Sequence, residues 1–95
     1  MIKSFADKNT ELVFNRNFMK GFPISLNRSA YKKLLLIDAA ERLSDLKIPP
    51  GNRLEKLSGE LAAKYSIRIN EQWRIVFQWK ENSAHQVQII DYHKG

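Results

Sequence analysis

The sequence predicts an α+β domain, with helices in its first half and a small antiparallel sheet in its second. Three observations carry that expectation. Apolar residues recur at helical spacing from Leu26 to Leu46. Pro49, Pro50 and Gly51 then interrupt the chain. After Tyr65, three segments alternate apolar and polar residues with the period of two that marks strands. Ninety-five residues make one domain, 1–95, with room for one core.

Taken in order, Ile2 to Phe5 reads as a short extended start at a sheet edge. Asp7 is placed to cap a helix running to about Asn15, with Phe14 and Phe18 facing the same way. Gly21, Pro23 and Ser25 punctuate the chain before the long helix. That helix gathers Leu26, Ala30, Leu34, Leu36, Ile37, Ala40 and Leu43 on one apolar face, long enough to cover a small sheet. Leu35 falls opposite, as a second contact surface or as an isolated exposed leucine. Beyond the prolines, Arg53 to Leu57 is expected to be a short strand, and Gly59 marks a turn in the loop after it.

The sheet segments constrain one another. Tyr65, Ile67 and Ile69 share one face, as do Trp73, Ile75, Phe77 and Trp79. If both rows pack on the helices, Ile67 lies across from Ile75 and Tyr65 across from Phe77, joined by a three-residue loop, Asn70 to Gln72. This register sets Arg68 directly opposite Arg74, on the face away from the helices. Like charges in that position repel, so the pair is either a site for an anion such as phosphate or two solvated arginines splayed apart. In the last segment Val87 and Ile89 alternate with Gln86 and Gln88, and Ile90 breaks the pattern. Strict alternation puts Tyr92 on the arginine face and sends Asp91 and His93 to the other. A bulge near Ile90, or twist at the chain end, would bring His93 round.

Composition narrows the function. A net charge of +6 suits a polyanionic or acidic partner, and it is spread along the chain instead of gathered in a tail. No cysteine is present, so disulfides and thiolate metal sites are excluded. His85 and His93 alone offer imidazole, so neither a metal nor a cofactor is expected. The longest apolar run, Leu34 to Ile37, is far too short for a bilayer, and a cytoplasmic protein is expected. Cleaving RNA requires an acceptor for the 2′-hydroxyl proton, a donor for the leaving 5′-oxygen and a cation for the charged phosphorane. Histidine, tyrosine and arginine have those capacities, which makes His93, Tyr92 and Arg74 a minimal candidate set.

The pieces MIKSF, LLLIDAAERLSDLKIPPGNRLEKLSG, YSIRINEQWRIVFQW and IIDYH, in that order over nearly the whole chain, resemble HigB-type toxins of the RelE/ParE superfamily. The resemblance implies a RelE-like fold: two N-terminal helices packed on a small antiparallel sheet with a concave active face. It implies a toxin of a type II toxin–antitoxin system, a ribosome-dependent endoribonuclease that cuts mRNA in the ribosomal A site and inhibits translation. It implies a HigA-like antitoxin as partner, itself a DNA-binding repressor through which the toxin meets operator DNA. By the same resemblance, Arg74 matches the family's sheet arginine on the scissile phosphate, and Asp91, Tyr92 and His93 match its C-terminal triplet. The family's loop histidine and lysine fall at Glu55 and Ser58, here a carboxylate and a hydroxyl, and its acidic–basic pair falls at Glu60 and Leu61. Glu55 is then the candidate base, and Arg53, Lys56, Ser58 and Arg68 the candidate phosphate contacts. Two other readings stay open: a ParE-like, gyrase-directed toxin, and a weak toxin acting mainly as antitoxin partner and co-repressor.

Overall fold

The computed structural model describes residues 1–59 and 63–92. Helices α1 (Lys8–Phe14) and α2 (Ile24–Ala39) come first, then 3₁₀ turns at Leu43–Lys47 and Pro50–Asn52. Strands β1 (Glu55–Lys56), β2 (Lys64–Arg68), β3 (Trp73–Lys80) and β4 (Ser83–Asp91) form an antiparallel sheet in chain order. Glu60, Leu61 and His93 lie outside the described residues.

Asp7 caps α1 as expected, its carboxylate accepting from Thr10 N at 2.8 Å. The helix ends at Phe14, however, so Phe14 and Phe18 do not share a face. Phe14 packs on Phe5 with ring centroids 5.5 Å apart, while Phe18 is 45% exposed in the loop that follows. Thr10, fully buried, accepts from the Ile89 amide and fastens α1 to β4.

The long helix is shorter than its periodicity suggests. It stops at Ala39, and Ala40 is extended. The reason is local: the Asp45 carboxylate accepts from the Glu41 and Arg42 amides, both at 3.0 Å, and draws the chain into a 3₁₀ turn. Those amides, Arg42 first, hold the Asp45 carboxyl below the usual carboxylate range. Leu46 still reaches the core, from the turn. Leu26, Ala30, Leu34 and Ile37 are buried as expected, but Leu36 is exposed along with Leu35. Pro49 and Pro50 therefore do not end the helix; Pro50 begins the second turn. The strand expected at Arg53 to Leu57 is reduced to Glu55–Lys56.

The β2–β3 register is the one alternation predicts, Ile67 on Ile75, Tyr65 on Phe77 and Arg68 on Arg74. Ile67, Ile75 and Phe77, with Ala84, Val87 and Ile89 of β4, bury one sheet face against Val13, Leu26, Ala30, Leu34 and Ile37. Glu81 and Asn82, both at positive φ, make the two-residue turn into β4. The bulge lies not near Ile90 but at Gln86, whose φ is 53°, where the register slips between Val76 and Gln78. It turns His85 onto the Arg74 face, in register with Gln78. From Gln88 onward alternation is unbroken, so Ile90 pairs with Arg74.

Residues 2 to 6 run parallel to the outer edge of β4. Ile2 and Phe5 bridge Ala84 and Val87, and Ile2 N donates to Asp38 of α2 at 2.9 Å. The face away from the helices is less open than the sequence suggests: Ser66, Arg74 and Val76 are all buried. Among the described residues no helix is long and apolar enough to cross a membrane.

Candidate active site

A guanidinium buried on a sheet needs partners, because an unpaired buried charge is far too costly to keep. Arg74 is only 7% exposed, and the structure supplies partners from three elements. Its Nε donates to Ser66 Oγ on β2 at 2.8 Å. Its Nη2 donates to the Arg53 carbonyl at 2.6 Å and lies 3.6 Å from Glu55 Oε1. The guanidinium also stands 5.4 Å from the centroid of the Tyr92 ring.

The Arg53 carbonyl is delivered by the second 3₁₀ turn. Arg53 is left-handed, with φ 46° and ψ 57°, a conformation that costs a non-glycine residue about 1 kcal/mol or more. Asn52, fully buried, holds this turn: its Nδ2 donates to the Leu46 and Ile48 carbonyls, and its Oδ1 accepts from Lys33 of α2. Partial burial pushes the Lys33 ammonium below its ordinary pKa.

The other side of the site is organised by the β2–β3 loop. Asn70 Oδ1 accepts from the Gln72 and Trp73 amides, fixing the turn. Gln72 then holds the end of β4: its carbonyl accepts from Tyr92 N at 2.6 Å, and its Nε2 donates to Asp91 Oδ2 at 3.1 Å. Tyr92 is thereby set beside Arg74, while Asp91 pairs in register with Trp73. An open cleft of about 280 Å³ lies here, lined by Arg53, Glu55, Arg68, Glu71 and Arg74.

Of the residues singled out in the sequence, Arg53, Glu55, Arg68, Arg74 and Tyr92 come together at this cleft. Alternation along β1 turns Lys56 away from it, opposite Tyr65, and Ser58 is exposed beyond the strand. Neither lines the cleft. Arg68 is the looser of the two arginines, its Nε donating to the exposed Asn70 carbonyl at 3.1 Å. The arrangement can hold an anion against Arg74, offers a carboxylate 3.6 Å from that cation, and sets the Tyr92 ring beside the guanidinium.

The family model for the RelE-like toxin HigB of type II toxin–antitoxin systems matches residues 3–93. The chain belongs to this HigB-like toxin family. Toxin HigB-1 of Vibrio cholerae is 46% identical over 72 residues, 76% of this chain and 75% of that protein. Endoribonuclease HigB of Proteus vulgaris is 31% identical over 93 residues, 98% of this chain and 100% of that one. A solved YoeB–YefM complex from Staphylococcus aureus has a chain of the same fold, with TM-score 0.62, 22% identity and 99% of each chain covered.

In this HigB-like toxin several residues at the cleft or on the Arg74 face have little or no signal in the sequence. Ser66 carried some, since alternation already put it on the arginine face. Gln72 and Glu71 carried none beyond their place in the tight loop. His85 was hidden by the bulge, which reverses the face that simple alternation assigns it.

Proposed function

We propose that this HigB-like toxin is an endoribonuclease that cuts mRNA on the ribosome, in the A site, and so arrests translation and growth. The observation that carries the reading is Arg74: a buried, hydrogen-bonded guanidinium opening on a cleft, with Tyr92 beside it. In this mechanism the ribose 2′-oxygen attacks the adjacent phosphorus, a cyclic phosphate forms, and the 5′-oxygen leaves with a proton. Arg74 stabilises the phosphorane, because its fork is fixed before the charge develops. His93 transfers a proton, with Asp91 and Tyr92 completing the C-terminal triplet. Glu55 takes the 2′-hydroxyl proton once phosphate displaces it from Arg74. Arg53 and Arg68 add charge around the scissile phosphate, and Lys56 and Ser58 act only at the rim.

The partner is a HigA-like antitoxin, through which the complex meets operator DNA. A net charge of +6 supports an acidic protein partner, and the YoeB–YefM complex supports the same assembly principle. Expression without the antitoxin is expected to stop growth and leave codon-positioned cuts in translated mRNA. Arg74→Ala should relieve both. Arrest with intact mRNA would sink the nuclease reading, and arrest with DNA damage would favour a gyrase-directed toxin.

One observation favours a second reading. Glu55 already occupies Arg74 and competes with phosphate for it. A weak toxin acting mainly as antitoxin partner and co-repressor would fit, and it predicts that Arg74→Ala leaves the phenotype unchanged.

A further inference from the structure

We infer that the groove on the outer side of α2 docks an acidic segment of a protein partner, one presenting an apolar anchor. This rests on the reading that an antitoxin holds the toxin, and adds where it holds and by what chemistry.

Helix α2 has an apolar core side and a mixed outer side. Leu26, Ala30, Leu34 and Ile37 face the core. Arg28, Tyr31, Lys32 and Leu35, spaced i, i+3, i+4 and i+7, lie on the other side of the same helix. With Arg16 and Phe18 from the preceding loop they line a cavity of about 480 Å³. Phe18 and Leu35 are 45% and 42% exposed, two large apolar groups lining one groove.

The groove is built, not a loose surface. Asn27, 1% exposed, accepts from Met19 N at 2.7 Å and donates to the Pro23 carbonyl at 3.1 Å. It thereby staples the loop carrying Phe18 to the start of α2. The Arg16 guanidinium lies over the Tyr31 ring, 5.7 Å from its centroid. A backbone fixed in this way loses little freedom when the groove is covered, which is what a docking surface requires.

Charge selects the occupant. Among the described residues the lining holds Arg16, Arg28 and Lys32 and no carboxylate. A second copy of this chain, itself at +6, would set cations against cations. A nucleic acid would seek an open ring face for stacking, but Arg16 already covers that of Tyr31. An acidic protein segment with a leucine-like or aromatic anchor satisfies both the floor and the rim. The groove lies on the helical side of the sheet and Arg74 on the opposite face, so a segment seated here leaves the cleft uncovered.

The test is titration of the full-length toxin with its full-length antitoxin by calorimetry. The Arg28→Glu/Lys32→Glu double variant is expected to weaken binding about tenfold or more and to flatten its salt dependence. Leu35→Ala is expected to weaken it about tenfold with the salt dependence kept. Unchanged thermal unfolding of these surface variants shows that the fold is intact, and Phe18→Ala serves as a second anchor variant. Wild-type affinity in every variant overturns the proposal while the antitoxin reading stands. Failure of the unaltered toxin to bind its antitoxin overturns both. Variants that bind antitoxin normally but lose affinity for ribosomes, RNA or a second copy also overturn it, and reassign the groove.

Discussion

The cleft at Arg74 and the groove along α2 are both basic, but they are built in opposite ways. In the cleft the central cation is buried, hydrogen-bonded to Ser66 and Arg53, and balanced by Glu55, with Glu71 nearby. In the groove the cations stand at the rim of an apolar floor, with no acid among the described residues that line it. The first arrangement fixes where one guanidinium points; the second sets only the sign and polarity of whatever approaches. The contrast shows that net charge says little about function until each cation's partners are known. Arg68 makes the point at close range, since it sits across from Arg74 in register yet its Nε is bonded to the carbonyl of an exposed loop residue.

That contrast can be broken by experiment, beginning with its largest expected effect. On the proposed mechanism Arg74→Ala should lower mRNA cleavage about 100-fold or more, measured in a translating extract, because it removes the group assigned to the developing charge. Arg74→Lys should restore little, since an ammonium cannot keep both the Ser66 and Arg53 hydrogen bonds. Ser66→Ala leaves Arg74 charged but releases its Nε. Cleavage should fall about tenfold, and denaturant unfolding should show a loss of about 1 kcal/mol. Arg68→Ala should change cleavage less than about threefold and stability by no more than about 0.5 kcal/mol. An Arg68→Ala defect equal to that of Arg74→Ala would erase the distinction drawn between the two arginines.

The smallest effect belongs to a residue in neither region. The Asp45 carboxyl is held below its ordinary pKa by the Arg42 and Glu41 amides. A depressed carboxyl contributes stability that is present above its unfolded pKa of about 4 and is lost as pH falls through the folded value. Asp45→Asn should therefore melt slightly below the unaltered protein at pH 7, and the two curves should converge in acid. Cleavage by Asp45→Asn should be unchanged.

Much of the sheet was legible because alternation and one short loop over-determine it. Ile67, Ile75 and Phe77 admit a single register that buries all three. The end of α2 was not legible, because Leu43 and Leu46 continue the helical spacing across a break made by the Asp45 side chain. The place of Arg74 in the sheet could be read, but not its burial. That depends on a carbonyl from Arg53, 21 residues earlier, turned inward by a left-handed backbone. Tyr92 was assignable by parity, whereas its attachment to Gln72 and the reversal of His85 depend on loop and bulge geometry that no residue pattern encodes.

The bridges from Ile2 and Phe5 to Ala84 and Val87 have a consequence for how the toxin is made. Ser4 Oγ accepts from the Gln86 amide, a contact spanning 82 positions. Pairings that distant form late, since a long stretch of chain must first be brought together. Residues 2 to 6 are therefore expected to settle only once β4 is in place, closing the outer edge of the sheet last.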